Sequence, residues 1–324
     1  MKKSLIILAA LLATIAVKAQ QIAVVSASGS TSLYQDLNEA ITGASSGSVI
    51  YLPGGGFQLK DETKITKPLT IMGVSHRVDA DNADGSTIIG GNIWFNEGSD
   101  GSSVMGVYVS GDVNIGEDAP VSNILVRTCN INSVQVKKEK CNGITINQCY
   151  MRNNSSFARN NAKITNCIFH SINNLNGGVI DHNVVVSNNR FYTGSFYWAS
   201  FPFVDNSTIT NNILLDPADI LYGSNCLISN NMLNRDWGDD CETVESWDGV
   251  LGDISKGIST ASDFQLKGNK GKGAATDGSD IGIYGGTSFD KYALAPIPRI
   301  VSKVVPEQTD AQGKLKITVT VKAN

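Results

Sequence analysis

The sequence predicts an all-β solenoid of stacked coils, and three observations carry that expectation. Glycine and asparagine number 32 and 30 among 324 residues, and neither favours a helix interior. Of the asparagines, 23 lie between Asn123 and Asn234. Within that stretch one short motif returns about every twenty residues, and a repeat of this size marks a solenoid. The chain has 17% charged, 41% hydrophobic and 7% aromatic residues, which fits neither a disordered chain nor a membrane bundle. A formal charge of -4 offers no basic face to a phosphate backbone, so no nucleic-acid partner is expected.

From the N-terminus, Lys2 and Lys3 precede an apolar run from Leu5 to Val17, closed by Val17-Lys18-Ala19. That is the pattern of a secretory signal peptide over residues 1–19. The run is too short for a bilayer core, which needs about 20 apolar residues, so no membrane span is expected. Removing Lys2, Lys3 and Lys18 leaves 23 basic against 30 acidic residues, a mature charge of -7. No cysteine follows the cleavage site to carry a lipid anchor. The expected location is therefore outside the cell or on the surface of a Gram-negative bacterium. Next, Leu33, Leu37, Ala40, Ile41 and Ala44 mark one amphipathic helix opened by Ser32-x-x-Gln35, and the strand Val49–Leu52 follows it.

Six segments then align without gaps: SNILVRTCNINS from Ser122, NGITINQCYMRN from Asn142, NAKITNCIFHS from Asn161, HNVVVSNNRFYT from His182, NSTITNNILLDP from Asn206 and NCLISNNMLNR from Asn225. With Cys129, Cys149, Cys167, Asn189, Asn212 and Asn231 as the reference position, the steps are 20, 18, 22, 23 and 19. Three residues earlier stand Val126, Ile146, Ile164, Val186, Ile209 and Ile228, all β-branched. Two residues later stand Ile131, Met151, Phe169, Phe191, Leu214 and Leu233, all apolar. Polar residues alternate with them, as in strands with one buried face. The position before the reference holds Asn166, Asn188, Asn211 and Asn230, with Thr128 and Gln148 in the first two copies. Asparagine tolerates the left-handed backbone of a one-residue corner. The reference side chain then points inward, where amides stack coil on coil. Cysteine stands in because it is small and tolerates burial, so Cys129, Cys149 and Cys167 are expected as free buried thiols. Cys141, Cys226 and Cys241 stay undecided between thiol and disulfide.

These residues resemble the right-handed parallel β-helix of the pectate-lyase-like superfamily, with its asparagine ladder. The N-terminal helix resembles the cap of such solenoids, and DGSDIGIYGG from Asp277 resembles a closing coil of secreted bacterial members. The Lys-Ala-Gln end of the signal peptide resembles those of Bacteroidetes. The resemblance implies a solenoid over residues 20–290. Beyond it, Pro296 and Pro298 introduce a β appendage over 291–324, with strands at Ile300–Val305 and Leu315–Val321 that either cover the solenoid end or pair with a protein partner. Lys314, Lys316 and Lys322 fall on one face of its last strand, as in a charged protective edge.

Chemistry is sparser. Gly238-Asp239-Asp240-Cys241 resembles the aspartate pair of β-helical polygalacturonases, but that family's downstream His-Gly and Arg-x-Lys are missing: His76, His170 and His182 are followed by arginine, serine and asparagine. Three residues after the reference position, Arg152, His170 and Tyr192 form an outward column with Arg190 nearby, a set that suits an acidic sugar and, in an enzyme, elimination beside a uronate. The insertion from Arg190 to Phe203 concentrates Tyr192, Tyr197 and Trp198, flat rings with polar tips suited to sugar faces, and Asp236 and Trp237 leave the sixth copy toward the same surface. Asp79, Asp81 and Asp84 miss the calcium-loop spacing. No cofactor is expected, Ca²⁺ being the one ion that Asp277, Asp280 and the run Asp236–Glu242 weakly suggest. The expectation is an exported solenoid that binds a polysaccharide, a cell-surface glycan or another surface partner. The alternative is a polysaccharide-active enzyme, a uronate lyase before a glycoside hydrolase.

Overall fold

The computed structural model describes residues 21–77, 85–170, 172–181, 183–185, 204–215, 224–252, 262–290, 299–306, 308–309 and 312–322. The repeats form a parallel β-helix with sheets of 11, 10 and 6 strands. Each coil visits the three sheets in turn. One runs through Leu125–Arg127, Asn130–Ile131 and Val134–Val136, and the next through Ile144–Asn147, Tyr150–Met151 and Ser155–Asn160. In the first sheet Val126, Ile146, Ile164, Ile180, Ile209 and Ile228 lie in register. They stack with Ile131, Met151, Phe169, Leu214 and Leu233 from the second sheet in one continuous core. No coil could bury this face alone, so stability comes from stacking neighbours.

The fourth copy is registered differently from the sequence expectation. Ile180 pairs with Ile164 and Ile209, so the ladder residue of that coil is Asn183, and Asn189 lies outside the described residues. The ladder steps there become 16 and 29 residues. The string Ser187-Asn188-Asn189 imitates a corner followed by a ladder residue, but the true strand Val179–Asp181 precedes it. Asn183 bonds directly to Asn212, which leaves no coil between them for Asn189.

The ladder itself runs further than the asparagines. Asn183 Nδ2 donates to Asn212 Oδ1 at 3.0 Å, and Asn212 Nδ2 to Asn231 Oδ1 at 3.0 Å. Each amide also donates to a carbonyl of the preceding coil: Asn183 to Ile164, Asn212 to Ile180 and Asn231 to Ile209. The thiols repeat this bond, Cys129 donating to Val104 O, Cys149 to Val126 O and Cys167 to Ile146 O. As acceptors they are also equivalent, because Cys149 N–H reaches Cys167 Sγ at 3.4 Å where Cys167 N–H reaches Asn183 Oδ1 at 2.7 Å. All six cysteines are free. Cys241 joins the column as acceptor of Asn231 N–H at 3.4 Å. Cys141 accepts from Val121 N–H, and Cys226 Sγ donates to Val204 O. Burial pushes the Cys129 and Cys149 thiols far above their ordinary pKa.

Corners adopt the expected left-handed backbone, with φ of 49° at Thr128, 54° at Gln148, 52° at Asn166, 60° at Asn211 and 53° at Asn230. Asp240, at φ 51°, takes the same corner in a last partial coil, where Asp239 bridges to Ser229. The Gly-Asp-Asp-Cys string is thus a strand end, a corner and a ladder residue. Trp237 packs on the core at this end.

At the other end, the helix α1 spans Leu37–Gly43, with Asp36 as its N-cap accepting from Glu39 N–H at 3.0 Å. That bond holds the Asp36 carboxyl below its usual pKa. Leu33, expected in the helix with Ser32 as its cap, instead lies in the strand Thr31–Tyr34, which pairs antiparallel with Ile22–Val25 and ends the first sheet. An aspartate three residues before Glu39 makes the better cap because the helix has only 7 residues.

The expected closing coil at Asp277 is no coil. Residues 244–252 and 262–290 form a strap on the outside of the second sheet, burying Tyr150, Ile168, Ile213 and Met232 against Val250, Leu251, Phe264, Ile281, Ile283 and Phe289. The corner side chains hold it. Asn230 Nδ2 donates to Ala274 O, Asn211 exchanges two bonds with Thr276, Asn166 Nδ2 donates to Ile283 O and Gly285 O, and Gln148 donates to Ser288 O. As the strap advances, its partners fall back from coil to coil, so it runs against the direction of coiling. Beyond it, Arg299–Val304 and Thr318–Lys322 pair with each other as an antiparallel hairpin.

Two outcomes follow. Asn212→Ala removes the acceptor of the Asn183 backbone and side-chain N–H groups and costs about 2–4 kcal/mol in urea unfolding, whereas Cys167→Asn, which keeps both bonds, costs less than about 1.5 kcal/mol. Asn166→Ala frees the strap: hydrogen exchange across 274–289 accelerates while the strands of the first sheet keep their protection.

Candidate functional site

Three short strands, Ile93–Phe95, Val113–Ile115 and Val134–Val136, present a buried-outward-buried triplet to the third sheet. Their flanking apolar residues sit in the core, so alternation turns Trp94, Asn114 and Gln135 outward. Pairing places Trp94 beside Asn114, Asn114 beside Gln135, Gln135 beside Ser156 and Ser156 beside Asn173. Five coils therefore contribute one column, one residue per coil and about 4.8 Å apart. Three of its polar atoms are buried without a partner among the described residues: Trp94 Nε1, Asn114 Nδ2 and Asn173 Oδ1. Asn114 is only 2% exposed, so its amide also lacks ready access to water. Unsatisfied polar groups of this kind are rare in folded proteins. Lys64 lies over the Trp94 ring, 5.7 Å from its centroid, and also pairs with Asp118 at 3.6 Å.

The expected cationic column is assembled differently. Arg152 and His170 do occupy equivalent turns after the second sheet, since Met151 pairs with Phe169. Arg152, however, is committed: its guanidinium donates to Asn130 Oδ1 at 2.6 Å, Val109 O at 2.8 Å and Ser110 O at 3.1 Å, and it lies 4.5 Å from the Tyr108 ring centroid. Burial lowers its pKa, against the opposing influence of Tyr108, Tyr150 and Asp112. His170 is half-buried. With Asn183 as ladder residue, the offset that the sequence reading counted from Asn189 no longer applies, and Val186, which stands at that offset in sequence, lies outside the described residues. Arg190, Tyr192, Tyr197 and Trp198 lie outside the described residues. Their insertion leaves the second sheet after Val184–Val185 and enters the third at Val204–Asp205, beside Leu175 and Asn176.

Asp236 is exposed at the end of the solenoid, whereas the half-buried Trp237 packs on its core. Asp277 Oδ1 accepts from Ser279, and Asp280 Oδ1 from Gly273 N–H, so both shape turns of the strap. Among the described residues no three His, Cys, Asp or Glu side chains converge as a metal would need. Asp79, Asp81 and Asp84 lie outside them. His76 is buried with both ring nitrogens unpartnered, and burial pushes its pKa down to about 3. The Trp94, Asn114 and Gln135 column escaped the sequence reading because its strands have three residues each. The signal was present as the triplets Ile-Trp-Phe, Val-Asn-Ile and Val-Gln-Val, centred 20 and 21 residues apart. The chain matches no protein-family model, and no curated protein matches it significantly.

Proposed function

We propose that the protein is exported and binds a glycan along the outer face of the third sheet. The observation that carries this reading is the in-register column from Trp94 to Asn173, which sets an indole, side-chain amides and a hydroxyl one coil apart along one sheet face. A polysaccharide is a linear polymer that repeats hydroxyl donors and acceptors, so it suits a face repeating amides coil by coil, and an indole ring suits a sugar face. The aromatic insertion joins the third sheet at Val204, next to this column, which supports Tyr197 and Trp198 as further contacts. Binding is favoured over elimination because Arg152, the cation that a uronate lyase would draw on, is committed to backbone carbonyls and Asn130.

The signal-peptide pattern of residues 1–19 supports delivery to the outside or to the surface of a Gram-negative bacterium, with Bacteroidetes the resemblance in the leader. The ladder and parallel coils support a place in the pectate-lyase-like superfamily. No helix among the described residues is long and apolar enough to cross a membrane.

The test is retention of the mature chain in gels containing pectin, alginate, glycosaminoglycans or neutral glycans, with absorbance of unsaturated products followed in parallel. Retention by at least one glycan without product is expected. Trp94→Ala, Asn114→Ala and Trp198→Ala should each weaken it about tenfold, equivalent to one good polar or stacking contact. Failure of retention on every glycan, or retention unchanged in all three variants, would overturn the reading, and product formation would establish the lyase instead.

A further inference from the structure

Nine large apolar side chains are exposed among the described residues, and all but Ile88 and Leu227 lie toward the two chain ends. Six belong to the C-terminal hairpin: Val304, Val305, Leu315, Ile317, Val319 and Val321. A seventh is Leu33, 59% exposed, on the strand Thr31–Tyr34 at the outer edge of the first sheet. Both ends are incomplete in the same sense. An isolated two-stranded hairpin is at best marginally stable in water, and an uncovered sheet edge offers a row of unpaired backbone groups. Their charges are opposite. From Gln21 to Gln58 the only ionised side chains are Asp36 and Glu39, and from Gln312 to Lys322 they are Lys314, Lys316 and Lys322.

We infer that the hairpin of one copy pairs along the Thr31–Tyr34 edge of another, joining mature chains head to tail. Main-chain hydrogen bonds extend the first sheet into the neighbour, the hairpin valines and Ile317 cover Leu33, and the lysines approach Asp36 and Glu39. A lipid surface could accept the apolar side chains but could not satisfy the edge backbone, and a strand from another copy does both. The contact joins two different surfaces, so it does not close on itself and builds chains of copies. It is independent of glycan binding, which uses the third sheet.

Light scattering coupled to size exclusion, on the mature chain without glycan and over a range of concentrations, tests this directly. Mass should rise with concentration and fall with salt, which screens the exposed charges. Lys316→Glu with Lys322→Glu should weaken association about tenfold while leaving the melting curve of the solenoid unchanged. Adding a second population carrying Glu39→Lys should restore association of that variant. A single-copy mass at every concentration would overturn the inference. So would association indifferent to the lysine substitutions, or a protein that stays single-copy in solution yet sediments with anionic vesicles.

Discussion

The structure depends on one hydrogen-bonding relation, repeated from coil to coil. A side chain at the inner corner accepts the backbone N–H of the ladder residue before it and donates to a carbonyl of the coil before it. Asn183, Asn212 and Asn231 do this with amides, and Cys129, Cys149 and Cys167 with thiols. Apolar stacking supplies most of the driving force but is nearly indifferent to sliding, because every coil offers similar branched side chains. The buried polar column removes that freedom, since a slip would strand amides away from water and from each other. The asparagine excess is in this sense a register device.

The neighbouring corner position serves a second purpose. The ladder residue points inward and the corner residue points out, and Gln148, Asn166, Asn211 and Asn230 spend their amides on the strap. The outer apolar face of the second sheet is covered by that same segment. With the second sheet closed by the strap, the third sheet is left to present outward polar residues, and the strand Thr31–Tyr34 remains as an edge of the first sheet.

Much of this was legible. Strand period, corners, inward ladder and the exchange of cysteine for asparagine all follow from phase against the apolar positions. The fourth copy misled because Ser187-Asn188-Asn189 carries the right residues in the right order, and only pairing of Ile180 between Ile164 and Ile209 distinguishes it. The strap was illegible for another reason. Tyr150, Ile168, Ile213 and Met232 sit one residue after the ladder, where an outward apolar side chain looks like chance until something is seen to cover it. The aromatic insertion and the cationic column rest on residue type, which cannot reveal that Arg152 is already occupied. Asn114 and Gln135 give no signal by themselves, because amides on a solenoid look like ordinary filling.

Thiols and amides form one column that opens only when the coils separate. Native-state thiol labelling followed by mass analysis of each cysteine tests it most directly. Cys129, Cys149 and Cys167 are fully buried, and burial pushes the Cys129 and Cys149 thiols well above their ordinary pKa, while Cys226 is partly exposed. Cys226 should react first, and the three ladder thiols should react together, at the rate of global unfolding. Labelling of Cys149 in native buffer as fast as Cys226 would contradict it.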